Sequence, residues 1–305
     1  MPDSGDQEGF GLAPEFTMHT LKICRPRPAL RPYVRIFVQR ATANSGSLIV
    51  EPVPAHLDQH LTFDFGSRVT VTLPNGSRLL IDPTSIAGAL TRVAHLDIQN
   101  QSDAFGIIFT PMGFSQLFCI PPREFINGLT EASGVIGASV RGVWNRMGEC
   151  DSFESRVAVA EEFLLSMEAR RRSTNIIMSV ANSISLQDGV VSITSLARQC
   201  SVGLRQFERD FRRTVGLSPK AFARVARFQA ALKAKIVFPK RTWLDIAHTF
   251  GYYDQMHMIH DFELLGNHAP TELVSRLRDG CPGAYVPEEE LEGTMSVLFH
   301  GQPQA

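Results

Sequence analysis

The sequence predicts an α+β protein in which a β-rich N-terminal domain is followed by an all-α domain. Short apolar runs separated by turn residues fill the first half, and apolar residues at helical spacing fill the last third. A chain of 305 residues is also long for a single domain. The predicted divisions are a disordered tail over 1–19, a β-rich domain over 20–170, a helical domain over 175–276 and a mobile tail over 279–305.

Composition narrows the class of protein. Hydrophobic residues make up 44% and charged residues 20%, as in ordinary globular proteins, and no apolar run approaches the roughly 18 residues that span a bilayer. The polar, acidic N-terminus is unlike a secretory signal, so we expect a cytoplasmic protein that binds no membrane. The net charge of -1 excludes no partner, because nucleic-acid binding depends on where positive charge lies. The scattered cysteines form no C-x-x-C pair and indicate free thiols.

The first half has the short apolar runs and intervening turns that are typical of a β-sandwich or an open barrel. Apolar-rich runs cover 34–39, 48–53, 61–65 and 105–110, and residues 68–73 alternate strictly between apolar and polar. Asn75-Gly76 follows the alternating run and predicts a hairpin, because both residues tolerate positive φ. Short helices are predicted over 113–119 and 139–147, and a longer one begins near Asp151 and ends near Met167. The charged stretch 168–174, with Arg170 to Arg172, is the predicted linker.

The helical third contains one unit twice. A short apolar face at 193–200 is followed by a break at Ser201-Val202-Gly203 and by a helix with Phe207 and Phe211 buried, which together predict a helix-turn-helix. A long helix opens at Ser218-Pro219, and the unit then repeats, with Gly251 in the turn, Phe262 in the second stripe and Gly266 at its end. Phe262 lies four residues before Gly266 whereas Phe211 lies five before Gly216, so we expect an imperfect repeat.

This region resembles the C-terminal domain of the AraC/XylS family of transcription regulators over about 100 residues. The residues that carry the resemblance are Leu196-Ala197, Phe207-x-Arg209-x-Phe211, Gly216-Leu217-Ser218-Pro219, Arg227-Phe228-Gln229-x-Ala231, Asp245-Ile246-Ala247, Gly251-Tyr252-Tyr253-Asp254-Gln255, Phe262, Gly266 and Pro270. In general layout, the first half is similar to the sensor domains attached to such regulators. The resemblance implies a sequence-specific regulator that binds double-stranded DNA, works with RNA polymerase, responds to a small-molecule effector or partner, forms a homodimer and is not an enzyme.

The resemblance also implies that the two helix-turn-helix units enter successive segments of the major groove. The predicted base-reading residues are Arg205, Glu208 and Arg209 in the first unit and Gln255, His257 and His260 in the second. The predicted phosphate contacts are Arg212, Arg213, Lys220 and Arg224.

Charge is distributed unequally between the two units. Lys and Arg are absent between Thr242 and Ser275, where five carboxylates occur, whereas the segment 193–241 is rich in both basic residues. Neutralisation of DNA phosphates by Lys and Arg dominates affinity for DNA. We therefore expect the first unit to supply most of the affinity.

Two other classes of function stay open at this point. A metal-dependent enzyme could use His56, His60 and His95 in the β-rich domain, but the Glu that follows the first His in H-E-x-x-H metal sites is absent, and a cupin-type His pair with its downstream Glu is absent too. We therefore expect no catalytic residue, no metal and no cofactor. Alternatively, the N-terminal domain only dimerises or docks another protein; a melting temperature raised by a ligand would argue against this.

Overall fold

The computed structural model describes residues 17–42, 48–98, 101–168, 175–280 and 294–301. It confirms the predicted class, with a β-rich domain first and a helical domain after it. The predicted linker residues Arg170 to Arg172 lie outside the described residues.

Antiparallel strands form two sheets in the N-terminal domain. The strands are β1 (Thr17–Cys24), β2 (Val34–Thr42), β3 (Ile49–Val53), β4 (Gln59–Asp64), β5 (Thr70–Thr72), β6 (Arg78–Leu80), β7 (Thr84–Ala87), β8 (Ala94–Ile98), β9 (Ser102–Phe109), β10 (Leu129–Glu131) and β11 (Thr294–Gly301). The larger sheet has the order β10-β7-β4-β9-β2-β1-β11, and the smaller one has the order β3-β8-β5-β6.

The helices come after β9 in the chain, with β10 and β11 among and after them, and α1 and α3 pack against the larger sheet. They are α1 (Gly113–Phe118), α2 (Ser133–Ile136), α3 (Ser139–Gly148), α4 (Phe153–Glu168), α5 (Ile176–Leu186), α6 (Ile193–Gln199), α7 (Leu204–Val215), α8 (Pro219–Val237), α9 (Trp243–Thr249), α10 (Gln255–Gly266) and α11 (Pro270–Gly280). A 3-10 turn at Pro122–Phe125 precedes β10.

Four local predictions need correction or refinement. Strand β1 begins at Thr17, inside the predicted disordered tail, and β11 lies inside the predicted mobile tail and pairs with β1. The cap before α4 is Ser152, whose Oγ accepts from the Ser155 N–H, rather than Asp151. The β5–β6 hairpin is confirmed, but in its turn only Gly76 has a positive φ. Asn75 accepts the Ser77 N–H through its side-chain oxygen.

The two helix-turn-helix units match more closely than predicted. The residue that caps the C-terminus of α7 is Gly216, with a φ of 92°, and the one that caps α10 is Asn267, with a φ of 59°. Each lies five residues after the central Phe of its helix. Gly266 therefore does not end the repeat. It is the last helical residue, and a Cβ there would lie 2.4 Å from Leu273 Cδ2, so Gly allows α11 to approach closely. The imperfection lies instead in the turn, which is one residue longer in the second unit.

Aromatic side chains fix each unit to the long helix α8. Phe211 packs edge-on against Phe222 at 5.7 Å between ring centroids, and Phe262 packs against Phe228 at 4.9 Å. All four rings are buried in one apolar cluster. Helix α8 therefore holds both recognition helices, α7 and α10, by equivalent contacts.

We expect Phe211→Ala and Phe262→Ala each to lower the free energy of unfolding by about 3–5 kcal/mol, because each removes a ring from a closed core and leaves a cavity. Phe238→Ala is the matched control, since that ring is 58% exposed at the end of α8. Chemical denaturation of the full chain measures all three. Equal stability of the Phe211 and Phe238 variants would contradict the buried assignment.

Candidate DNA interface and effector cavity

The first recognition helix, α7, exposes the predicted basic face. Its exposed side chains are Arg205, Glu208, Arg209, Arg212 and Arg213. Neighbours on the same helix hold two of them, since Arg209 donates to Gln206 and Arg213 pairs with Asp210 at 3.2 Å. A third link reaches the N-terminal domain, where Arg123 Nη1 donates to the Arg213 carbonyl at 2.7 Å. The end of α7 is thus anchored while its basic face stays accessible.

The two predicted phosphate contacts on α8 differ in their surroundings. Lys220 is exposed at the start of the helix. The guanidinium of Arg224 is instead paired, because its Nε and Nη2 atoms each lie 2.5 Å from Asp261 Oδ1. The structure therefore gives Arg224 an internal ion pair that joins α8 to α10.

Asp261 alters the predicted charge balance of the second unit. Its side chain is 0% exposed, and Arg227 lies 3.9 Å from its other carboxylate oxygen. It therefore does not add to the negative surface, as we expected when counting five carboxylates. Asp245, Asp254, Glu263 and Glu272 are exposed, so the deficit of basic side chains in this segment remains.

The second recognition helix, α10, exposes all three predicted base readers, Gln255, His257 and His260. Aligning the start and end of α10 with those of α7 places His260 where Arg209 stands and Glu263 where Arg212 stands. In the same alignment Met256, which is 69% exposed, occupies the position equivalent to that of Arg205. Sequence reasoning missed Met256 because it counted only hydrogen-bonding side chains, although apolar groups contact the thymine methyl group.

A cavity of about 320 Å³ lies between the two sheets. Its walls are largely apolar, with Val71 of the smaller sheet and Ile108 of the larger sheet among them. Three lining residues belong to the helical domain: Gln229, Arg276 and Leu277. The cavity is therefore closed partly by the domain that carries the helix-turn-helix units.

Polar groups of this cavity gather around His56, Asp58 and His60, whose ligand-type atoms lie within 4.8 Å of one another. The two imidazole rings stack at 4.8 Å, and Asp58 Oδ2 pairs with Arg35 at 2.7 Å. Burial lowers the pKa of both histidines, because it penalises the charged imidazolium. His95, which the enzyme alternative required, is not part of this group within the described residues.

The chain between β3 and β4 has one face in the cavity and one in the helical domain. His56 and Asp58 line the cavity, whereas Ala55 and Leu57 are buried in the apolar cluster of the helical domain. Extended backbone produces this alternation, since successive side chains point to opposite sides.

The backbone of the same stretch is bonded to both sides. His56 exchanges hydrogen bonds with Leu90 of the β-domain. The Ala55 N–H donates to the Leu265 carbonyl in α10 at 2.9 Å, and the Leu57 N–H donates to Gln229 Oε1 in α8 at 3.0 Å. We call residues 55–58 the bridging segment.

Comparison with known protein families supports the helix-turn-helix interpretation of the helical domain. Residues 196–276 match a family described as a helix-turn-helix domain, and residues 22–131 match a family described only as a domain of unknown function. Residues 196–276 therefore form a helix-turn-helix domain, as the resemblance to the AraC/XylS family predicted. No curated protein sequence matches it.

Some solved structures have a similar layout. A structure of ToxT from Vibrio cholerae is 13% identical with a TM-score of 0.46, and the match covers 79% of this chain and 98% of that one. A ToxT structure with bound unsaturated fatty acid is 11% identical with a TM-score of 0.42, over 85% and 95% of the chains. The AraC-like transcriptional activator CuxR is 10% identical with a TM-score of 0.24, over 88% of each chain.

Among the described residues, no helix combines the length and the apolar character needed to cross a membrane.

Asp261→Asn should lower the free energy of unfolding by about 3 kcal/mol, because it leaves Arg224 without its buried partner charge. Glu263→Gln, an exposed change on the same helix, is the control and should stay within about 0.5 kcal/mol of the parent. Thermal and denaturant unfolding of the full chain measure both. A stable Asp261→Asn variant would show that the pair does not hold α10 on α8.

Proposed function

We propose that this protein is a sequence-specific transcription regulator whose DNA binding is controlled by a small, mainly apolar effector held in the cavity between the sheets. The observation that carries the proposal is the bridging segment, which lines that cavity with alternate residues and packs into the DNA-binding domain with the others. A ligand that moves His56 or Asp58 must also act on Ala55 and Leu57, because they share one extended backbone.

Direct readout of DNA is proposed for the exposed residues of both recognition helices. Arg205, Glu208 and Arg209 are assigned to bases in the first unit, and Gln255, His257 and His260 in the second. Phosphate contact is assigned to Arg212, Arg213 and Lys220, while Arg224 is assigned to the pair with Asp261. RNA polymerase and a second copy of the chain are proposed as partners on the family resemblance alone.

The bridging segment reaches both helix-turn-helix units by different routes. Its bond to Leu265 meets the end of α10, and its bond to Gln229 meets α8, on which α7 is packed. A shift of the segment would therefore change how the two recognition helices are spaced. Coupling of this kind between two sites is typically about 1–3 kcal/mol, or roughly 5- to 150-fold in affinity.

Charge at two equivalent positions should set the salt dependence of DNA binding. Arg212→Ala should flatten the slope of log affinity against log salt by about 0.9, and Glu263→Arg should steepen it by about the same amount, since each phosphate contact releases condensed counterions. The slopes are measured by titration of DNA fragments that the purified protein selects from a genomic library.

Arg78→Ala is the control for this series, because Arg78 is exposed on β6 of the β-domain, paired with Asp97. Its slope should equal that of the parent. If the library yields no common motif, the proposed sequence-specific function is wrong. If the motif appears but Glu263→Arg leaves the slope unchanged, the second unit does not lie against phosphate at that position.

Gln229→Ala should separate effector binding from its effect on DNA. The apolar fluorescent probe anilinonaphthalene sulfonate should bind the parent cavity and change DNA affinity by about 5- to 150-fold. In Gln229→Ala the change in DNA affinity at saturating probe should shrink, because the Leu57 N–H loses its acceptor on α8. The comparison is made at saturation because Gln229 also lines the cavity. Probe fluorescence and DNA titration measure the two effects separately.

Two controls complete this experiment. Ala104→Leu narrows the cavity and should weaken probe binding, whereas Gln187→Ala alters an exposed residue after α5 and should change neither quantity. A parent protein whose DNA affinity ignores a bound probe, or a Gln229→Ala variant with the parent's full response, would contradict control through the bridging segment.

A further inference from the structure

The polar end of the cavity has the donor set of a metal site. We propose that His56, Asp58 and His60 bind one divalent transition-metal ion of the zinc type, with a remaining coordination position open to the cavity. This inference does not depend on the proposed control of DNA binding.

Strand spacing brings the three donors together. The residues stand at every second position of an extended stretch, so their side chains share one face, and all three line the cavity. Their ligand-type atoms lie within 4.8 Å of one another, a separation that small side-chain rotations can close to metal-bonding distance. Two imidazole nitrogens and one carboxylate oxygen are common ligands of zinc, and three protein ligands leave a position for water or another molecule.

Two of the donors already have the outer partners that metal ligands use. His56 Nδ1 lies 3.1 Å from the Asp58 carbonyl, an arrangement that fixes the ring and leaves Nε2 for the ion. Asp58 Oδ2 is held by Arg35, which leaves the second carboxylate oxygen for the ion. His60 makes no side-chain hydrogen bond with any other described residue, so binding an ion would break none of its bonds.

The positive charge of Arg35 does not exclude a cation beside it. Asp58 neutralises the guanidinium in the present arrangement, and Arg40 nearby in the cavity wall is paired with Glu51. The guanidinium groups of Arg35 and Arg40 are therefore each paired with a carboxylate before an ion enters. The two neutral imidazoles then supply donor atoms without adding positive charge.

Metal titration of the full chain tests this site. Protein stripped with a chelator is titrated with Zn²⁺ against a chromophoric zinc chelator, and with Co²⁺ while its visible absorption is recorded. We expect one ion per chain and a Co²⁺ spectrum of a low-coordinate N/O site. His60→Gln and His56→Gln should each weaken Zn²⁺ binding more than 10-fold, since even outer-shell changes cost about 10- to 100-fold.

His95→Gln is the matched control, because His95 is a half-buried histidine on β8 outside the group. It should bind Zn²⁺ like the parent. Asp58→Asn tests the carboxylate, and its melting temperature is measured beside it because it also loses the Arg35 pair. His60→Gln keeps the test decisive if that variant fails to fold.

Several results would overturn the site: no stoichiometric Zn²⁺ binding, an affinity unchanged in His60→Gln, or an equal loss in His95→Gln. DNA titration of the same preparations keeps this test separate from the proposed function. A chain that binds its selected DNA but no Zn²⁺ refutes the metal site alone. A chain that binds Zn²⁺ through His60 but no DNA refutes only the regulator.

Discussion

The packing of this protein depends on one short stretch of extended backbone whose two faces lie in different domains. Ala55 and Leu57 cannot bond their N–H groups to the neighbouring strand, because His56 between them uses that side for Leu90. Buried N–H groups need acceptors, and the helical domain supplies them from Leu265 and Gln229. The bridging segment of the N-terminal domain is thus hydrogen-bonded directly to α10 and α8 of the helical domain.

Charged side chains in the interior of the helical domain also connect its elements. Asp261 is a buried residue of α10 and forms an ion pair with Arg224 of α8. Two charges that the sequence analysis assigned to the DNA-facing surface therefore connect the two helices instead. Because Arg224 is basic and Asp261 is acidic, their ion pair leaves the net charge of the exposed surface almost as predicted. Of the two recognition helices, α7 carries exposed arginines, whereas α10 exposes His260, Met256 and Gln255.

Local signals predicted much of the fold. The apolar stripes around Phe211 and Phe262 gave both helix-turn-helix units, because helical periodicity is visible in a single sequence. The end of the repeat was misplaced, because Gly266 looks like a helix cap, while Asn267 takes the left-handed conformation and Gly266 serves close packing. The association of Asp58 with His56 and His60 was not predicted, since the search considered helical and cupin spacing but not alternate positions along a strand.

One further consequence concerns whether the DNA-binding domain can stand alone. Ala55, Leu57, Ala89 and Met112 of the first domain belong to the same buried cluster as the helices. Cutting the chain between the domains would leave apolar surface around Val215 and Leu217 in contact with water. Large exposed apolar patches favour aggregation. The excised helical domain would therefore be poorly soluble unless polar residues replaced this surface, and the natural unit of stability is the whole chain.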